Sequence, residues 1–316
     1  MEVVVVCLRM IKVNNLNFAY GTTGRGIFDI NFEVRKGQVV GFLGPNGAGK
    51  TTTIRCILGF LKGDTGNVTV NEMDSFKEST TISEDIGYIA GEPAFPDNMT
   101  GLELLKFIID ARVEKGFRLS RDELTKRMQA LTEYFQLDSS TRIKRMSKGM
   151  KQKTAIISAL MHDPEILILD EPTSGLDPLM QARFIEIMQS EKRRGKTILI
   201  SSHMFEEIER TADRVLIIKD GRIIEEDKVS NLKKGQRKIY TVVGEGLGKQ
   251  EWGDPDFTVN ILSDNEVEFN IPNDGVDKLL KMLGKHKVLD IFRKEIKLEQ
   301  IFMQHYKAPN QIGGEK

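Results

Sequence analysis

Nine consecutive residues, Gly44-Pro45-Asn46-Gly47-Ala48-Gly49-Lys50-Thr51-Thr52, combine glycines, one cation and adjacent hydroxyls. The spacing is G-x-x-x-x-G-K-[ST], and each residue type has a chemical reason to be there. Glycines let a backbone wrap closely around an anion, with successive N–H groups turned inward. Lys50 brings a mobile point charge to β- and γ-phosphate oxygens, and the Thr51 hydroxyl is suited to Mg²⁺. Gly44, Asn46, Gly47, Ala48, Gly49, Lys50, Thr51 and Thr52 are therefore the expected contacts of a nucleoside triphosphate. An apolar strand, Val39 to Leu43, precedes the loop, and an amphipathic stretch, Thr52 to Leu61, follows it. A helix beginning near Gly49 would add its positive end to the site. This strand–loop–helix setting separates a phosphate cradle from an ordinary glycine-rich turn.

Three further groups could act on a bound triphosphate. Ile166-Leu167-Ile168-Leu169-Asp170-Glu171 is an apolar strand that delivers two carboxylates at its end. Asp170 suits a Mg²⁺ shell, and Glu171, pointing elsewhere, suits polarisation of a water molecule. Without the glycine loop, the same residues would read as a buried strand ending in a solvated acidic turn. Ser174-Gly175-Leu176-Asp177 follows directly. His203 comes just after another apolar strand, Thr197–Ser201, where a side chain could reach a γ-phosphate; a lone histidine at a strand end is otherwise more often structural. The third group is Met146-Ser147-Lys148-Gly149-Met150-Lys151-Gln152, opening a helical stretch. Ser147 is a plausible N-cap. Lys148 and Lys151 would place cations at the positive end of that helix, which is unfavourable unless an anion comes there.

The elements that must carry these groups are mixed. Strand-like segments at Ile11–Phe18, Ile27–Val34, Val39–Leu43, Gly66–Val70 and Ile86–Ile89 alternate with glycine turns. From Thr100 to Leu160 the spacing becomes helical, with Leu102, Leu105, Phe107, Ile108 and Ile109 as one apolar group and Leu124, Met128, Leu131 and Phe135 as another. Strands return at Ile166–Leu169, Thr197–Ser201 and Val215–Ile218, apolar throughout, as for strands covered on both faces. This predicts an α/β core with a helical insertion over about 93–162. After Ser230 a basic, glycine-containing stretch, 233–238, reads as a linker. Strands at Ile239–Val243, Phe257–Leu262, Val267–Ile271 and Val288–Phe292, with helices at Val276–Leu283 and Leu298–Tyr306, predict a smaller α+β domain over 231–307. The tail from Ala308 reads as disordered.

Bulk properties narrow the field. The 316 residues suit about two domains. Lys+Arg and Asp+Glu both number 46, so no global basic field recruits nucleic acid. Two cysteines, Cys7 and Cys56, suit a reducing compartment, with Cys56 a small core residue. No apolar run approaches the ~20 residues of a membrane span. Val3 to Leu8 is short and lacks a basic leader, so no signal peptide is expected. Met10 opens a natural first strand, which makes the first nine residues a candidate upstream extension.

The order of the glycine loop, SKGMKQ, ILILDEPTSGLDP and the following histidine resembles the ATP-binding subunits of ABC transporters, over approximately Ile11 to Ile224. The resemblance implies a P-loop NTPase core with an antiparallel β subdomain and a helical insertion. It implies ATP and Mg²⁺ as cofactors, Tyr20 stacked on adenine, Glu171 as catalytic base and His203 as γ-phosphate sensor. Ser147, Lys148, Gly149 and Met150 stand where the family has its signature; Ser147 and Gly149 would complete the site of a second copy in a head-to-tail dimer, and Asp177 would cross the same interface. Two departures stand out. Lys148 and Met150 replace the usual first glycine and glutamine of the signature, a variant similar to one exporter-type subgroup. Gly91 stands where the family places a metal-touching glutamine, followed by Glu92 as a possible substitute ligand. Phe95 and Met99 fall in the region that accepts a helix of the membrane subunit and are expected to be partly exposed.

The C-terminal region, closing on Ile296-Lys297-Leu298-Glu299-Gln300-Ile301-Phe302, resembles the small extra domain of exporter-type (ABC-2-like) subunits for drugs and peptide antibiotics. The expected partners are an integral membrane subunit and a second ATP-binding subunit, with the chain peripheral on the inner face of the cell membrane. A soluble ABC ATPase acting on ribosomes or nucleic acid is the rival. Such chains usually carry two cassettes, a long coiled coil or cysteine-rich metal sites, none of which is seen here. A GTP-binding switch would need a guanine-reading N/T-K-x-D element, which is also missing.

Overall fold

Val39–Leu43 is buried at all five positions because it runs between two parallel neighbours. The computed structural model of the chain describes residues 9–21, 24–234 and 237–294. In chain order the first part contains β1 (Arg9–Ala19), β2 (Gly26–Arg35), β3 (Val39–Leu43), α1 (Lys50–Ile57), β4 (Thr65–Val70), β5 (Met73–Asp74), α2 (Ser79–Glu84) and β6 (Ile86–Ile89). Helices α3 (Gly101–Glu114), α4 (Arg121–Tyr134) and α5 (Lys148–Leu160) follow. Then come β7 (Ile166–Asp170), α6 (Pro178–Arg193), β8 (Thr197–Ser202), α7 (Phe205–Thr211), β9 (Arg214–Lys219) and β10 (Arg222–Lys228).

Two sheets share one apolar core. The order β2-β1-β4-β5 forms an antiparallel sheet, and β10-β9-β3-β8-β7-β6 forms a second sheet in which β9, β3, β8, β7 and β6 pair in parallel. Ile11, Ile27, Ile30 and Val70 from the first meet Val40, Phe42, Ile166 and Leu199 from the second, with Ile54 and Ile57 of α1 between them. Cys56 is buried in the same core. The parallel register sets Leu43 opposite Ser202 and Asp170 opposite Ser201. The loops leaving β3, β7 and β8 therefore emerge side by side, as ligand-carrying loops do at the carboxyl ends of open α/β sheets.

The helical insertion is delimited by local chemistry. Thr100 with Glu103 and Ser120 with Glu123 each form a reciprocal capping box at the start of α3 and α4, an arrangement worth about 1 kcal/mol per cap. Leu104, Ile143 and Met146 form its small buried centre, and Phe95, Met99, Ile108 and Met150 pack half-buried around it. Phe107, expected in the apolar group, is instead exposed, because it lies two residues from both Leu105 and Ile109, on the far side of α3 from them. Asp163 gathers Arg127, Arg194 and Lys196, joining α4, the end of α6 and the start of β8 by ion pairs.

The chain divides into two units between Glu226 and Asp227. The second holds α8 (Val229–Lys234), β11 (Lys238–Gly244), β12 (Thr258–Ser263), β13 (Glu266–Ile271), α9 (Val276–Leu283) and β14 (Val288–Lys294). Its strands form an antiparallel sheet in the order β12-β13-β11-β14. Alternate residues Val267, Phe269 and Ile271 of β13 point inward to Val242, Leu247, Leu279 and Leu283. The stretch read as a linker is partly regular, since α8 runs to Lys234 and β11 begins at Lys238. The expected closing helix, Leu298–Tyr306, the tail from Ala308 and the segment before Arg9 lie outside the described residues. Elements β5, α2, α6, α7 and β10 had no counterpart in the sequence reading.

Candidate nucleotide site

Gly49 is the N-cap of α1, with φ 112°, and it makes no side-chain cap. That left-handed conformation favours glycine, and a Cβ here would lie 2.7 Å from Ile27 Cγ2. The first turn of α1 holds no acidic residue. Its free N–H groups and positive dipole end are thus left for an anion. Lys50, 5 % exposed, donates to the carbonyls of Gly44 at 2.6 Å and Pro45 at 3.3 Å. A buried ammonium needs such partners. Its Nζ also stands 3.2 Å from Glu171 Oε1.

At the end of β7, Asp170 is buried and both of its oxygens are engaged. Oδ2 accepts from Thr51 Oγ1 at 2.7 Å and Oδ1 from Ser201 Oγ at 2.5 Å. A hydroxyl and a carboxylate oxygen brought together suit a hard divalent cation that takes its remaining ligands from phosphates and water. Among the described residues no cluster of three or more His, Cys, Asp or Glu could hold a metal by itself. Gly91 lies beside this pair, its virtual Cβ 3.5 Å from Asp170 Oδ2, so a longer residue would aim at the same place. Glu92 is exposed and lines a cavity of about 420 Å³ with Asn46, Thr51, Asp170, Glu171 and His203.

Glu171 has φ 47°, a costly conformation for a residue with a Cβ. Its N–H donates to the Ser201 carbonyl at 3.1 Å, which stitches the turn to β8. The turn sends the side chain away from Asp170 and toward Lys50 and His203. Glu171 Oε2 and His203 Nδ1 are 2.5 Å apart, and the His203 N–H donates to the same oxygen at 3.3 Å. The sequence separates Lys50, Glu171 and His203 widely, yet the parallel sheet brings them to one point. Tyr20, 41 % exposed, stands at the edge of an adjoining cleft of about 500 Å³ lined by Arg25, Asn46, Gly47, Lys50 and Thr52. Its hydroxyl lies 3.2 Å from Thr52 Oγ1, and Phe18 braces its ring edge-on.

The residues 147–150 and Asp177 line neither the cleft nor the cavity, except Lys148, which lines the cavity. Ser147 caps α5 by accepting from the Met150 N–H at 3.2 Å. Lys148 donates to Ser174 Oγ at 2.8 Å, and its side chain lines the cavity. A Cβ at Gly149 would come 2.8 Å from the Gly175 carbonyl, a packing reason for glycine there. Asp177 caps α6 by accepting from the Met180 N–H at 3.0 Å.

Several site residues escaped the sequence reading. Ser201 and Ser202, two hydroxyls ending an otherwise apolar strand, were the available signal. Gln152, read only as part of the SKGMKQ run, is buried on α5 and donates to the Pro172 carbonyl at 2.7 Å, and Glu207, not singled out at all, is buried on α7. Burial pushes the Glu207 carboxyl up to about 7, against hydrogen bonds from Ser202 and Thr173 that lower it, while the Glu171 charge adds to the rise.

Comparison with known proteins places these observations. Residues 27–174 match the profile of the ABC transporter family. The ABC transporter ATP-binding protein NatA of Bacillus subtilis is 38% identical over 216 residues, 67% of this chain and 86% of that protein. The bacitracin transport ATP-binding protein BcrA of Bacillus licheniformis is 38% identical over 230 residues, 72% of this chain and 73% of that protein. A fluoroquinolones export ATP-binding protein of Mycobacterium tuberculosis is 30% identical over 301 residues, 93% of this chain and 92% of that protein. Among solved structures, an ATP-binding subunit of an ABC transporter superposes with TM-score 0.64 at 31% identity, covering 71% of this chain and 92% of that one. A dimeric bacterial ABC transporter cassette gives TM-score 0.63 at 25% identity, covering 70% of this chain and 99% of that one.

Proposed function

This chain belongs to the ATP-binding subunits of the ABC transporter family, and from that premise we propose that it hydrolyses ATP to drive export through a separate membrane-spanning partner. The convergence of Lys50, Glu171 and His203 at the ends of β3, β7 and β8 carries the chemical part of this reading. The export part is supported by relatives named for bacitracin transport and fluoroquinolone export, the second similar along almost the whole chain. Among the described residues no helix is long and apolar enough to cross a membrane. The pathway then belongs to another protein, and this chain works at the inner face of the membrane.

ATP lays its adenine against Tyr20 and its phosphates on the N-terminus of α1. Mg²⁺, when bound, would be held by Thr51 and Asp170, with Glu92 as a further donor, and would neutralise phosphate charge. Lys50 turns from Glu171 to the phosphate oxygens. Released from that ion pair, Glu171 accepts a proton from the attacking water, and His203, held through Nδ1 at Glu171 Oε2, reports the γ-phosphate. Ser147, Gly149 and Asp177 complete the site of a second copy, so that ATP closes the dimer. The first unit is the ATPase domain and the second an accessory domain.

The test is purification of the full chain from membranes of its host, with identification of any hydrophobic protein that comes with it. Co-purification from membranes, and ATPase turnover that the partner alters, are the expected results. Sedimentation with ribosomes, and no membrane association, would favour the soluble rival instead.

A further inference from the structure

Helix α7 starts two residues after His203 and turns one carboxylate back into the protein. Glu207 is 1 % exposed. Its Oε2 accepts from Ser202 Oγ at 2.6 Å and from Thr173 Oγ1 at 3.3 Å, whereas its buried Oε1 has no hydrogen-bond partner. Ser202 immediately precedes His203, and Thr173 is the second residue after Glu171. Ser202 Oγ also accepts from the Met204 N–H at 2.9 Å, closing the turn over His203. From the opposite side, Gln152 holds the carbonyl of the intervening Pro172 at 2.7 Å.

A carboxyl in this position is costly. An incompletely paired buried polar group destabilises a fold relative to an apolar residue of similar size. Simple packing of a seven-residue helix would place a leucine or methionine there. What the carboxyl does, and an apolar side chain cannot, is bridge two loops that carry the reacting groups. Those loops leave neighbouring parallel strands; they also meet through the Glu171 N–H to Ser201, through Glu171 Oε2 with His203 itself, and through Thr173 Oγ1 to Met204 Sδ. Glu171 is strained at φ 47°, so its orientation depends on what restrains the loop behind it.

We propose that Glu207 is a positioning residue, which ties the turn bearing His203 to the segment leaving Glu171 so that the two keep their register when Lys50 moves to the phosphates. It lines neither the cavity beside Asp170 nor the cleft beside Tyr20. The inference rests on Glu171 and His203 acting together in hydrolysis, but it concerns their alignment. Glutamine at 207 keeps an acceptor oxygen toward the two hydroxyls; alanine removes it.

The experiment is steady-state ATPase kinetics on the full chain, with Glu207→Ala and Glu207→Gln beside wild type, and ATP binding measured by fluorescence titration. Glu207→Ala is expected to lower kcat at least tenfold with the ATP Kd within twofold. Glu207→Gln is expected to return kcat to within threefold of wild type. A Glu207→Ala kcat within twofold of wild type, or a fall matched by an equal loss of binding, would overturn the proposal. Should Glu207→Ala not fold, Thr173→Val and Ser202→Ala remove the same bonds from the other side. Each must then lower kcat about threefold or more at unchanged Kd, and combining them must add little; fully additive losses would equally overturn it. Glu171→Gln separates the two questions: retained turnover there refutes the base and leaves the Glu207 comparison standing.

Discussion

Lys50 Nζ lies 3.2 Å from Glu171 Oε1, so the cation of the glycine loop and the carboxylate at the end of β7 form an ion pair. Both side chains are largely enclosed, at 6% and 17% exposure. Each therefore needs a partner, and an incoming phosphate competes with Glu171 for the same ammonium. In the proposed function, this arrangement ties release of the base to binding of the substrate.

Lys50→Ala removes both functions. ATP affinity is expected to fall at least thirtyfold in a fluorescence titration. The melting temperature should also drop by several degrees, because Glu171 is left buried beside only His203; one broken buried pair costs about 3 kcal/mol. Unchanged affinity would contradict the assigned phosphate contact.

Glu171→Gln keeps the shape and the hydrogen bond toward His203 but cannot take up a proton. Turnover should fall at least a hundredfold while ATP still binds, and size-exclusion chromatography with ATP should show a trapped dimer. Turnover within a few-fold of wild type would remove Glu171 from the role of base.

Tyr20→Ala should raise KM for ATP about tenfold with little change in kcat, since it deletes the stacking face. Tyr20→Phe loses only the hydroxyl near Thr52 and should stay within twofold. Equal effects of the two variants would point to the hydroxyl rather than the ring.

A composite site makes two variants complementary. Lys50→Ala carries an intact residue 147–150 segment, and Gly149→Asp an intact phosphate loop. Each alone should be inactive, and an equimolar mixture should regain a measurable fraction of wild-type turnover. Specific activity of the wild type should also rise with protein concentration. Full activity in a strictly monomeric sample would exclude the shared site.

Burial holds the folded Glu207 carboxyl near 7, above its ordinary 4.5. A raised acid is protonated in the folded chain while the unfolded chain already ionises. Its contribution to stability therefore declines as pH rises from about 4.5 to about 7 and is level beyond. Glu207→Gln abolishes this slope. Urea melts should show the variant gaining on wild type between those pH values, by up to about 3 kcal/mol; parallel pH profiles would show that the carboxyl is not the titrating group.

Much of the site was legible because its chemistry is written in contiguous residues. The glycine loop from Gly44 to Thr52 and the Asp170–Glu171 pair need particular residue types at adjacent positions, whatever surrounds them. The strands of the parallel sheet were legible for a related reason, since burial on both faces leaves an unbroken apolar run. Short or polar elements were not. Helix α2, Ser-Thr-Thr-Ile-Ser-Glu, buries only Ile82, and β10 alternates between half-buried and exposed residues, so neither leaves a strong periodic trace.

By itself, then, the sequence determined the α/β class, the triphosphate loop and the identity of the groups that could act on a phosphate. Only the tertiary structure decided their neighbours. That Lys50 faces Glu171, that His203 shares an oxygen with it, that Lys148 is held by Ser174 and that Glu207 sits behind them all depend on strand order, β3 beside β8 beside β7. Strand order is a property of long-range pairing, which no local spacing encodes. The physical reason is that side-chain chemistry is local in sequence, whereas the distances that make it reactive are set by the packing of segments far apart in the chain.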